Sequence, residues 1–258
     1  MRLKIIVIFL FFTTVFPNAV NAEDSGFLWL VNRDNVLCEN FRPRDMVNFR
    51  GMELRKEARD AFIEMLKEME SEKIYGLKLQ SAYRSFSHQH ALFEEKKHSL
   101  IKKGCSPAEA EAIASKTVQP PGASEHQLGL ALDVTIDGNL SQKFAETKAG
   151  MWLEKNCGKF GFIIRYPKSK TNVTNIVYEP WHLRYVGEPH SQIMNEKSLT
   201  LEEYHLYLTK IDMYVVWEKD CYFLVSHSNF EPLGEEFSST SFGANASFIK
   251  TVKKSPST

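Results

Sequence analysis

Apolar positions along this chain follow two rhythms. Leu54, Ala58, Ala61, Phe62, Met65, Leu66 and Met69 recur at three- and four-residue intervals, which lines them along one stripe of a helix with Lys and Glu on the other side. That stripe predicts core and no chemistry. Gly76 ends the pattern, and Leu77 and Leu79 then alternate with Lys78 and Gln80 as a half-buried strand does. A second helix is predicted over about 87–103, stopping at Gly104. Ser106-Pro107-Ala108-Glu109 reads as a capping box with proline at the first helical position, opening a short alanine-rich helix. Gln119-Pro120-Pro121-Gly122 cannot continue that helix, so the chain turns into a loop before Ser124. Residues 130–136 read as a buried strand and about 144–156 as a helix closed by Gly158, with further short strands over 162–164 and 181–186. Helices and strands mix without a regular βαβ rhythm, which predicts an α+β domain: a small antiparallel sheet flanked by helices.

Past Gly187 an acidic amphipathic helix is expected over 201–208, then a hairpin from 214–217 and 222–225. The predicted organisation is therefore a signal peptide over 1–22, a catalytic domain over 23–195, and a C-terminal extension over 196–258. The signal peptide is read from Arg2 and Lys4, the unbroken apolar run over 5–12, and the small-residue site Val20-Asn21-Ala22. Its apolar core is shorter than the roughly 20 residues a bilayer span needs, so export without a stable membrane span after cleavage is expected. Glu23 rather than cysteine follows the predicted cut, which argues against a lipoprotein.

Composition narrows the function classes. The 258 residues are 43% hydrophobic and 25% charged, ordinary globular values that exclude a disordered tail or a multi-span membrane protein. Thirty-two basic residues balance thirty-two acidic ones, leaving no field to gather polyphosphate, so nucleic acid is not an expected partner. Cys38, Cys105, Cys157 and Cys221 are an even number in an oxidising setting and permit three pairings, but lack any C-x-x-C spacing. Disulfides and buried free thiols both stay open.

The chemistry sits in two separated motifs, Ser124-Glu125-His126-Gln127-Leu128-Gly129-Leu130-Ala131-Leu132-Asp133 and Glu179-Pro180-Trp181-His182. A hydrolytic zinc site needs about three protein ligands and one open position, and two imidazoles with one carboxylate supply them at modest charge. His126, Asp133 and His182 fit one Zn2+ ion, with His126 at a loop end and Asp133 inside the following strand. Glu179, expected in a turn behind Pro180, is the candidate base for the attacking water. Arg84, leaving a strand end in Ser81-Ala82-Tyr83-Arg84-Ser85, is the candidate fixed cation for a developing oxyanion. His88 and His90 lie two apart on a helix and are read as rim residues; His190, His205 and His227 are read as solvated.

Over about 28–187 these residues resemble the VanY-type D-alanyl-D-alanine carboxypeptidases, zinc peptidases that share a site with D-alanyl-D-alanine dipeptidases, lysostaphin-type endopeptidases and the hedgehog domain. Ser124, His126, Gly129, Ala131 and Asp133 match one motif of that family, and Glu179 with His182 the other. The resemblance implies zinc on His126, Asp133 and His182, Glu179 as base, and Arg84 on the scissile carbonyl or its oxyanion. Ser124 and Gln89 are implied to contact the substrate's terminal carboxylate or backbone. Tyr83 in the arginine motif and Trp181 beside His182 complete the expected substrate-binding set. Ala82 departs from the glycine usual before that tyrosine. The implied partners are peptidoglycan stem peptides or their precursors. A dipeptidase, an L,D-carboxypeptidase or an L-alanyl-D-glutamate endopeptidase would use the same site. A noncatalytic wall-binding module is the other class, against which a poised Glu179 argues.

Overall fold

A computed structural model describes residues 26–208 in full, together with the strand backbone of residues 5–6, 213–218, 221–226, 237–241 and 248–254. Apart from residues 5–6, the expected signal peptide lies outside the described residues, as does His227. The chain divides into two compact units, Val31–Thr200 and a second made of Met1–Leu30 with Leu201–Thr258.

The larger unit opens with an irregular segment that leads into a hairpin, β1 (Met46–Phe49) and β2 (Met52–Arg55). Arg50 and Gly51 at its tip both have positive φ, the geometry of a tight two-residue turn, and Asn48 Oδ1 accepts the Gly51 N–H at 3.1 Å. This hairpin corrects the reading of Leu54 as the first residue of the helical stripe. Leu54 is a buried strand residue, and helix α1 (Lys56–Ser71) starts after it. One apolar residue at an element boundary fits either period. Ala58, Phe62, Met65 and Met69 on α1 are buried, as the stripe predicts.

Strand β3 (Lys78–Ser81) follows with Leu79 buried and its two neighbours exposed. Ser85 then caps helix α2 (Phe86–Lys102) by accepting the His88 N–H, leaving His88 and His90 exposed. Ser106 and Glu109 form the reciprocal capping box at the start of α3 (Pro107–Ala114). Beyond β4 (Ala131–Thr135) the expected single helix splits into a 3-10 turn over Gln142–Glu146 and α4 (Lys148–Asn156). Thr147 is the cause: its extended backbone breaks the run, and its hydroxyl accepts the Gly150 N–H to start α4 afresh. A further 3-10 turn, Cys157–Phe160, carries the chain through Gly158, and the stop falls instead at Gly161, in the left-handed region at φ +80°. Strand β5 (Phe162–Tyr166), a one-turn helix α5 (Thr171–Thr174), β6 (Glu179–Tyr185) and α6 (His190–Lys197) complete the unit.

The four-stranded sheet runs β3-β4-β6-β5 with every neighbouring pair antiparallel. The architecture is α+β, a small antiparallel sheet flanked by helices. Its register sets Asp133 of β4 directly opposite His182 of β6 and beside Ser81 of β3, and pairs Tyr166 of β5 with Glu179.

In the second unit, α7 (Leu201–Leu208) is the expected acidic helix, and His205 is tied through Nε2 to the Leu28 carbonyl at 2.7 Å rather than simply solvated. The expected hairpin is present as antiparallel strands Met213–Glu218 and Cys221–Ser226, within a five-stranded sheet. Among the described residues, no helix is long and apolar enough to cross a membrane. Cys38, Cys105 and Cys157 are free, the last buried with its thiol pushed up to about 12.

His190 also departs from its expected place in solvent. It is 2% exposed in the first turn of α6, and burial pushes its pKa down to about 3. The unfolded chain takes up that proton near pH 6.5 while the folded one refuses it, so folding stability falls as pH drops. Between pH 6.5 and 5 this one group removes about 2 kcal/mol. Urea titrations of the wild type and His190→Gln at those two pH values measure it: the variant should lose less stability than the wild type on acidification, and equal losses would refute the assignment.

Candidate active site

His126 lies in a 3-10 turn, Glu125–Leu128, that ends at Gly129 in the left-handed region. A Cβ on Gly129 would stand 2.7 Å from Met46 Sδ, so both the turn and the close approach demand glycine there. The turn swings the His126 ring back against β3, where Nδ1 donates to the Ala82 carbonyl at 2.6 Å. That bond assigns the proton to Nδ1 and leaves the Nε2 lone pair for the site. The backbone carbonyl at position 82 thus sets the tautomer, and an alanine methyl in place of the family's glycine leaves it intact.

Asp133 brings its carboxylate between the two imidazoles. Oδ2 is 3.3 Å from His126 Nε2, and Oδ1 is 3.1 Å from His182 Nδ1. Oδ1 nevertheless makes no hydrogen bond. Ligand atoms on a tetrahedral zinc stand about 3.4 Å apart, so these separations suit donors that share a cation better than a hydrogen-bonded pair. One ligand atom from each of the three residues lies within 4.8 Å of the others, and all three residues are buried. The residues therefore fit a single zinc ion.

The electrostatics agree. Full burial opposes the charge of Asp133, yet His126, His182 and Arg84 hold its carboxyl well below the usual carboxylate range. Burial, with Arg84 beside it, pushes His126 down to about 4. Burial acts in the same sense on His182, but Asp133, Glu125 and Glu179 outweigh it and push that ring up to about 9. One imidazole thus repels a proton while its neighbour, under three carboxylates, attracts positive charge.

Glu179 is the first residue of β6 rather than part of a turn, because the strand extends through Pro180. Its Oε2 stands 3.7 Å from His182 Nδ1, and burial pushes its pKa up to about 7. Arg84 donates from Nε to Ser81 Oγ at 2.9 Å, from Nη1 to Gln89 Oε1 at 3.4 Å, and from Nη2 to Asp133 Oδ2. A guanidinium has five N–H donors, so two remain for another acceptor.

A cavity of about 470 Å³ opens over this group, within the usual range for small-molecule sites. Ser124, Gln89, Arg84, Glu179 and Trp181 all line it. Gln89 is anchored by its amide on the Gln119 carbonyl at 2.7 Å, and the Ser124 side chain caps nothing. Tyr83 is the exception among the expected substrate contacts: it does not line the cavity, and its ring lies under the Arg42 guanidinium.

Three residues escaped the sequence reading. Gln119 and Tyr166 line the cavity, Tyr166 with its ring centroid 4.9 Å from that of His182. Glu125 is fully buried behind His182; burial works against its charge, but Arg165 and Arg184 hold it well below the usual range. A partial signal was available: Arg165 is a charged residue in the otherwise apolar run Phe162–Tyr166.

Comparison with known proteins agrees with this geometry. The model of the VanY family, D-alanyl-D-alanine carboxypeptidase, matches residues 51–188, just over half of the chain. The chain belongs to the VanY family. YodJ of Bacillus subtilis (strain 168) is 39% identical over 199 residues, covering 72% of this chain and 69% of YodJ. Among solved structures, the LD-carboxypeptidase LdcB is 37% identical with a TM-score of 0.63, covering 70% of this chain and 86% of that one. A variant of the vancomycin resistance D,D-pentapeptidase VanY from a VanB-type cassette, in complex with Zn(II), is 34% identical with a TM-score of 0.63, covering 70% and 99%. With this VanY membership and the buried His/Asp/His group, the protein is a zinc metallopeptidase with one zinc ion.

Zinc binding should be visible in stability. Zinc added to metal-stripped protein raises the thermal midpoint, and at a thousandfold excess over Kd the gain is about 4 kcal/mol. Asp133→Ala should abolish the increment in differential scanning calorimetry. A wild-type midpoint indifferent to zinc would contradict the site.

Proposed function

We propose that this VanY-family protein is an exported D,D-carboxypeptidase that removes the terminal D-alanine from peptidoglycan stem peptides or their precursors. The observation that carries the reading is Glu179: a buried carboxyl, pushed to about 7, standing 3.7 Å from His182 Nδ1 at the mouth of the three-ligand group. A structural metal site has no use for such a base, which weighs against a noncatalytic wall-binding module.

His126, Asp133 and His182 would hold the zinc ion, which when bound would supply Lewis-acid polarisation of a carbonyl and lower the pKa of an attacking water. Glu179 takes the proton from that water through its carboxylate oxygen and later returns it to the amine of the departing D-alanine. A carboxyl with a pKa near the working pH accepts and releases a proton with little loss in either direction. Arg84, steadied by Ser81, Gln89 and Asp133, offers its two remaining N–H groups to the carbonyl oxygen as negative charge gathers there. Ser124 and Gln89 receive the terminal carboxylate or backbone, and Trp181 walls the cavity. The signal peptide reading supports action outside the cytoplasmic membrane, where stem peptides are found.

Removal of a terminal D-alanine from a tetrapeptide is the second reading, favoured by the likeness to LdcB. Mass analysis of the products from a muramyl pentapeptide and a tetrapeptide separates the two. The pentapeptide should lose one alanine; release of the dipeptide, or turnover of the tetrapeptide alone, would replace the first reading. Glu179→Gln should retain zinc while lowering kcat by at least 100-fold, the usual worth of a general base. Undiminished turnover in that variant would remove Glu179 from the mechanism.

A further inference from the structure

We infer that Glu125 is the positioning residue for His182: its buried carboxylate receives the imidazole's outward N–H and thereby decides which ring nitrogen faces the zinc site. The inference rests on the zinc reading above and extends it to a residue outside the ligand set.

His182 has two ring nitrogens and two different surroundings. Nδ1 faces Asp133 Oδ1 at 3.1 Å and Glu179 Oε2 at 3.7 Å, while Nε2 points the other way, toward Glu125 Oε2 at 3.9 Å. Both atoms of this last pair are buried, and neither has a hydrogen-bond partner. An N–H···O bond needs about 2.9 Å, so an approach of about 1 Å completes it. A buried donor and a buried acceptor that face each other each gain from that approach, because a buried polar group left without a partner loses its solvation uncompensated.

The aim of Oε2 is fixed from behind. Arg165 Nε on β5 donates to Glu125 Oε1 at 2.8 Å, and Arg184 Nη1 on the adjacent β6 stands 2.7 Å from the same oxygen. With Oε1 held by two guanidiniums, the second oxygen is directed at the ring. The three charged residues are at most 1% exposed. A buried ionic cluster of this kind is weak evidence for stability, since apolar side chains of similar volume often serve as well. Holding a metal ligand gives the cluster a reason. The arrangement also completes a pattern in the site: His126 is oriented through its outer nitrogen by the Ala82 carbonyl, and Glu125 does the same for His182 with a full negative charge, which raises the ring's basicity toward a metal.

The test reads the imidazole and the metal rather than turnover. In the zinc-loaded protein labelled with 15N-histidine, the His182 Nε2–H proton should resonate far downfield and exchange slowly with water. A resonance with the position and exchange rate of a solvated imidazole would overturn the inference, and this measurement needs no variant. In Glu125→Gln, zinc affinity by chelator competition should fall 10- to 100-fold and the resonance should move. A folded Glu125→Gln with wild-type zinc affinity and an unmoved resonance would also sink it. Because neither readout involves substrate, a protein that passes both yet releases no D-alanine refutes the carboxypeptidase reading and leaves Glu125 in its role.

Discussion

The antiparallel register between β4 and β6 is the constraint on which the site depends. Asp133 stands directly opposite His182, so two of the three zinc ligands are delivered by one rung of the sheet. Side chains alternate across a strand with period two, and a slip of one residue would turn one of these ligands to the opposite face. Two residues along the same ladder, Ala131 lies opposite Arg184, whose buried guanidinium meets Glu125. The rung that builds the site is therefore one rung removed, across Leu132 and Leu183, from a rung pinned by a buried ion pair. His126 is the ligand that register alone does not supply, and it depends on the tight turn closed by Gly129.

Burial gives these groups their reactivity, and partners decide its direction. His126, His182, Asp133 and Glu179 all lie in a desolvated environment, yet their pKa values move apart. Burial prevails at His126 and Glu179 and is overridden at Asp133 and His182. Such separation among titratable groups that share one environment is a mark of functional sites. Asp133, Glu125 and Glu179 around His182 make a place where positive charge is favoured. A divalent cation meets that demand more fully than a single proton does.

Much of the fold was legible because its helices and strands bury apolar residues at regular intervals. The α1 stripe, the β3 alternation and the α3 capping box all rest on local chemistry that acts within a few residues. The boundaries were less legible wherever a single residue satisfied two patterns, as Leu54 does, or where a cap inside an apolar run restarts a helix, as Thr147 does. At the site, the His/Asp/His trio was visible because hydrolytic zinc chemistry restricts residue types. Tyr83 misled because a motif gives identity without direction. His190 was misplaced because its burial is set by tertiary packing. Glu125 was overlooked because nothing local distinguishes a solvated glutamate from one enclosed by arginines on two strands distant in sequence.

Under the proposed mechanism Arg84 serves both architecture and chemistry. Its bonds to Ser81, Gln89 and Asp133 use three of its five donors and fix the guanidinium plane, so the other two are held in place before any substrate arrives. Such preorganisation is where electrostatic stabilisation of a developing oxyanion gains its strength, since no donor must reorient as charge builds. The same contact helps hold the Asp133 carboxyl in its ionised form, the form a metal ligand needs. Glu125 acts instead on His182, enriching the ring from behind. Arg84 and Glu125, both outside the ligand trio, thus act on different ligands of it, and a lysine at position 84 would keep the charge but lose the fixed fork.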